Sequence, residues 1–134
     1  MRAFLTRRDG ATAVEFAIIA PVFLSMIFGA IVMGIAIWST SILNAVAAES
    51  ARCLAVGGRA CTSLPTGCTR DAETCFVMTL ADRRGLPGLN ASDISIEPAV
   101  SVGAALSTRV TLTRPFTLLG QTMTLSGSAS YPNS

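Results

Sequence analysis

Few residues in this 134-residue chain have the types and spacing for chemistry, and two groups stand out. Cys53, Cys61, Cys68 and Cys75 follow one another at intervals of seven or eight residues. Glu15 is a carboxylate in the stretch DGATAVEFAIIAPVF, from Asp9 to Phe23. It stands at the mouth of an apolar run, five residues after Gly10. The chain has no histidine, which removes the commonest general base and the commonest metal ligand. Serines and threonines are plentiful, yet no imidazole is present to activate one as a nucleophile. The reading is therefore of a protein that is not an enzyme, with no catalytic residues, no cofactor and no small-molecule substrate. A net charge of +2, scattered along the chain, gives no footprint for nucleic acid.

The cysteines point to disulfides. No CxxC pair exists and no histidine could complete a zinc site, so no metal is expected. An even count suits an oxidising compartment. Three pairings are open. The preferred one joins Cys53 to Cys75 and Cys61 to Cys68, each bridge contributing about 2–4 kcal/mol.

Glu15 makes sense only beside the segment it borders. From Phe16 to Ala48 there is no Asp, Glu, Lys or Arg. Phe16–Trp38 as a helix spans roughly 35 Å, enough for a bilayer core of about 30 Å. A buried helix is the rival, but the rest of the chain could hardly cover it on all sides. A secretory signal is another, but its apolar region is shorter, about 7–15 residues. Arg2, Arg7 and Arg8 precede the run and no basic residue follows until Arg52. The positive-inside rule then places the N-terminus in the cytoplasm and the remainder outside, with Trp38 near the outer interface. Ser25 with Gly29, and Ala30 with Gly34, give small residues four apart, a spacing that admits close helix packing. Pro21 cannot donate to the carbonyl of Ala17 and should loosen the helix there.

A charge this close to lipid is costly unless paired. Arg7 and Arg8 lie two turns back, beyond helical reach. A cut between Gly10 and Ala11 would free an amine at the membrane edge, and Glu15 could neutralise it within one chain or on a neighbour.

Basic residues, Gly10, then ATAVEF with Glu at the fifth place and an apolar helix resemble the class III signal of type IV-like prepilins. GATAVEFAIIAPVFL followed by NAVAAESARCLAVGG resembles, more narrowly, the TadE-like minor pilins of the tight-adherence (Flp, type IVc) pilus, over about residues 7–58. The resemblance implies that Gly10 ends the leader and Ala11 begins the mature chain. It implies that Glu15 and Phe16 are read by a prepilin peptidase and then serve in assembly. The partners implied are the membrane, that peptidase, other pilins or pseudopilins and the assembly platform.

The helix is expected to continue to about Val56, with Gly57-Gly58 as its stop. Ile42, Val46, Cys53 and Val56 form its apolar stripe, Leu43 and Leu54 flank it, and Glu49 interrupts it. Glu49 and Arg52, three apart, are expected to pair locally. CTSLPTGCTR reads as a loop. A short helix follows from about Arg70 to Arg84, with Thr69 as its cap and Glu73 and Asp82 in solvent. The triplet Asn90-Ala91-Ser92 matches a glycosylation sequon of no expected consequence.

The period then changes to two. Ile94 and Ile96, then Leu106, Val110 and Leu112, then Met123 and Leu125 mark three strands with turns at Gly103 and Gly120. Pro98 marks an edge or bulge, and the tail SYPNS is expected to fray.

The expected architecture is α+β: a leader at 1–10, a helix at 11–57 with its membrane span at 16–38, and a body at 58–134. The body is a small antiparallel sheet packed on the helix, pilin-like and stapled by disulfides. The expected place is the inner membrane, crossed once, with the body extracytoplasmic. The expected role is a minor pilin, or alternatively an uncleaved, membrane-anchored envelope scaffold or binding module.

Overall fold

A computed structural model describes residues 9–63, 68–118 and 120–133. Residues 1–8, which include the expected leader's Arg2, Arg7 and Arg8, lie outside that set, as do residues 64–67, 119 and 134. The described elements are α1 (Asp9–Ala55), α2 (Arg59–Thr62), α3 (Ala72–Arg83), a 3-10 turn (Ala91–Asp93), and strands β1 (Ile94–Val102), β2 (Ala105–Leu118) and β3 (Gln121–Pro132). The class is α+β, with a long apolar N-terminal helix, a small antiparallel sheet and two disulfides. The chain divides into two units, one ending at Ile35 and one beginning at Ala36.

In the first unit α1 continues through Pro21. Its apolar side chains are exposed all round: Phe16, Leu24, Phe28, Ile18 and Ile19 lie on different sides of the helix, and none is covered. The Ser25 hydroxyl donates to the Val22 carbonyl at 2.8 Å, so it needs no other partner in an apolar medium.

In the second unit α1 becomes one-sided. Leu43, Val46, Ala47, Ser50 and Ala51 are buried, with Ile42 and Leu54 half-buried beside them. Val77, Ala81, Leu86 and Leu89 close over them from α3 and the segment after it, and Val110 and Leu112 from β2. This face is built more from alanine and serine than from the bulky stripe. Val56, placed in the stripe by its hydropathy, is 57% exposed. The physical reason is close approach: a Cβ on Gly127 of β3 would meet the α1 backbone at Leu43 and Asn44.

Two helices end alike. Gly57 and Gly85 take left-handed φ values of 64° and 85°, a conformation costly for residues with a Cβ. The amide of Gly58 then donates to the Cys53 carbonyl, and that of Leu86 to the Ala81 carbonyl. Both are Schellman stops. The second aims Leu86 into the core. α3 starts at Ala72, two residues later than expected, because Asp71 is still extended and its carbonyl accepts the Cys75 amide.

The strands form one sheet in the order β1-β2-β3, with all pairings antiparallel. The register pairs Ile94 with Leu112, Ile96 with Val110, and Leu112 with Gly127, so these residues share the face toward α1. The ladder between β1 and β2 shifts between Glu97 and Val100, which makes Pro98 part of a bulge, as its chemistry required. The tail does not fray as expected. Tyr131 and Pro132 belong to β3, and the Asn133 side chain donates to the Pro98 carbonyl at 2.9 Å and accepts from the Thr108 hydroxyl at 2.7 Å. The bulge turns that carbonyl toward the tail.

Candidate functional site

The helix end at which processing is expected belongs to the first unit. The backbone at Gly10 and Ala11 is helical, at the start of α1. One turn further, Glu15 and Phe16 are both exposed. Glu15 has no ion pair among the described residues. Side chains in a helix lean toward its N-terminus and residues four apart share a face, so the Glu15 carboxylate leans toward the turn that begins with Ala11.

On the side of Glu15 toward the apolar run, Val14, Ile18, Ile19 and Val22 are each more than 60% exposed. Among the described residues one helix is long and apolar enough to cross a membrane, with a mean hydropathy of 2.5 over its best window, none of it buried. Single-pass anchoring by α1 is compatible with that profile. At the far end of the run, the Trp38 ring lies 3.7 Å from where a Cβ on Gly85 would be, so the indole packs against the turn after α3.

The four cysteines are all paired, but not as preferred from the sequence. Cys53 bonds Cys61 and Cys68 bonds Cys75, with Cα separations of 6.1 and 6.3 Å. The Schellman stop at Gly57 explains the correction. It folds the chain back, and α2 then brings Cys61 alongside Cys53 after eight residues. A Cβ at Gly58 would be 3.1 Å from the Cys61 sulfur and 3.3 Å from that of Cys53, so the turn packs tightly against the bridge. The second bridge ties the loop to the first turn of α3. No bridge joins α1 directly to α3.

That link is ionic instead. Glu49 does not pair with Arg52; its carboxylate accepts from the Arg84 guanidinium at 2.5 Å, joining the middle of the packed α1 segment to the end of α3. The interruption that Glu49 makes in the apolar stripe marks a tertiary contact. Sequence reasoning named Glu49 and assigned it the wrong partner, because the end of α3 comes to α1 only through the fold. Asp82 and Glu73 are exposed, as read. Asn90 and Asp93 form a capping box on the 3-10 turn.

The family model described as TadE-like protein matches residues 10–52. Over this stretch the chain is similar to that family. The match begins at Gly10, takes in Glu15, Phe16 and the whole apolar run, and stops one residue before Cys53. The disulfides, α3 and the sheet all lie beyond the TadE-like match. No curated protein and no solved structure shows a significant match.

Proposed function

We propose that the chain is a minor pilin, or pseudopilin, of a tight-adherence pilus, cut by a prepilin peptidase between Gly10 and Ala11. The observation that carries this reading is the coincidence of two boundaries. The TadE-like match starts at Gly10, and the exposed apolar face of α1 starts within the next turn.

Cutting there leaves a protonated amine on Ala11. In the same helix it lies just over one turn, roughly 6 Å along the axis, from Glu15. An ammonium and a carboxylate at the lipid boundary remove each other's desolvation penalty. Between chains the same pair fixes the axial register of neighbouring helices. The protein's mechanism is then assembly: α1 anchors the chain in the inner membrane and packs laterally, while the oxidised body stands on the extracytoplasmic side. Phe16, 73% exposed beside Glu15, completes the surface offered to the peptidase and afterwards to neighbouring helices.

Glu15→Ala tests the assembly role. The variant inserts as well as the parent, having lost a charge from the lipid edge, but fails to support piliation in a strain lacking the natural copy. Wild-type piliation by this variant would refute the pairing.

A further inference from the structure

Within the second unit, α3 runs back along α1. Its start adjoins α2, which the Cys53–Cys61 bridge ties to the last turn of α1. Its end lies by Trp38, where a Cβ on Gly85 would be 3.7 Å from the indole. The twelve residues of α3 rise about 18 Å, and the step from Trp38 to Cys53 is about 22 Å, so the two segments match in length. Trp38 is the one tryptophan of the chain, and it ends the exposed apolar run. Ile37 and Trp38 are 61% and 54% exposed, whereas Ser39, next along, is 7% exposed. The packed body thus begins one residue after the exposed run stops.

The turn that Trp38 touches carries two guanidinium groups, and they differ. Arg84 is held by Glu49. Arg83 is exposed and has no ion pair among the described residues. It follows the buried Ala81 by two residues, roughly 200° around the helix, and so points away from the core. Asp82, also exposed, leaves the helix about 100° from Arg83. Consecutive Cα atoms are about 3.8 Å apart, which puts Arg83 within roughly 8 Å of Gly85. Its long, flexible side chain can reach the layer in which the indole sits.

We propose that the end of α3 rests on the bilayer surface, and that Arg83 there binds the phosphate of an anionic lipid beside Trp38. The proposal rests on the reading of α1 as the membrane anchor. An indole at the end of an apolar span belongs at headgroup depth, and here it brings the turn after α3 to that depth with it. A guanidinium forks onto two phosphate oxygens. An anionic headgroup suits it better than a zwitterionic one, whose own ammonium competes for the same phosphate. Free phosphate offers the same oxygens, but no acyl chains hold it beside the indole. The contact gives the body a second fastening to the bilayer besides α1.

The test uses the full-length protein in vesicles of phosphatidylcholine mixed equally with phosphatidylglycerol, with Trp38 as the sole indole reporter. Bromine on the acyl chains of one lipid or the other quenches an indole only at close range. Comparing the two quenching curves gives the relative affinity of the two lipids beside Trp38. The expected result is a preference for phosphatidylglycerol of about five-fold, the factor one basic residue gives at an anionic surface. Arg83→Gln loses the preference, and Arg70→Gln, before the start of α3, keeps it. Retention of both disulfides shows that each variant has folded. Equal quenching by the two lipids, a preference unchanged in Arg83→Gln, or one lost equally in Arg70→Gln overturns the proposal and leaves the anchor standing. Abolition of the preference by inorganic phosphate at constant ionic strength assigns the site to the free ion and overturns it too. No quenching by either lipid takes Trp38 out of the bilayer and overturns the anchor reading as well.

Discussion

Leu43 and Gly127 touch backbone to backbone. A Cβ on Gly127 would lie 2.6 Å from the Leu43 carbonyl carbon and 2.7 Å from the Asn44 amide nitrogen, closer than such atoms can come. The obstacle is helix backbone, which cannot turn aside as a side chain can. Gly127→Ala must therefore push β3 off α1, along with the Leu112 side chain that Gly127 faces across the ladder. The expected cost is about 3 kcal/mol, the upper end for overpacking a core. Denaturant unfolding of the detergent-solubilised protein measures it. A loss below about 0.5 kcal/mol would mean that the contact is not formed.

The disulfides make a second prediction. Closing loops of seven and eight residues stabilises by about 2–3 kcal/mol each in the chain-entropy account. Peptide mapping under non-reducing conditions should recover Cys53 with Cys61 and Cys68 with Cys75. C53S/C61S should leave the other bridge intact. A peptide joining Cys53 to Cys75 would contradict the fold at the end of α1.

A third prediction concerns Glu49. Both partners of its bridge to Arg84 are about half exposed, so the pair should contribute less than about 1 kcal/mol. A double-mutant cycle between Glu49→Gln and Arg84→Gln should still show coupling. The same cycle between Glu49→Gln and Arg52→Gln should show none. Coupling to Arg52 alone would restore the local pairing that spacing suggests.

The sequence makes some of this architecture plain and hides the rest. Phe16–Trp38 reads as a membrane span because lipid demands an unbroken apolar run, and nothing tertiary can override that demand. The strands around Ile94, Val110 and Leu125 show because alternation is a local property. Pro98 shows because a missing donor has few places to go. Leu43 and Val46 on the buried face of α1 are legible from their bulk, whereas Ala47, Ser50 and Ala51 are not, because close packing there selects small residues. Gly127 carried no signal, because a glycine within a polar strand looks like a turn or an indifferent site. The disulfide pairing was equally hidden: it follows from where Gly57 folds the chain back, a tertiary consequence of one φ angle. At the end where cutting is proposed the order is reversed. Gly10, Ala11, Glu15 and Phe16 are legible from their types and spacing, while their surroundings in the fold are only an exposed helix.

The central claim is that Glu15 sits where it does to meet an amine released at Ala11, and the intact mass of the native protein tests it most directly. Membranes of the producing cells should yield a chain that begins at Ala11, lacking residues 1–10. A native chain that retains Met1 to Gly10 would contradict the account.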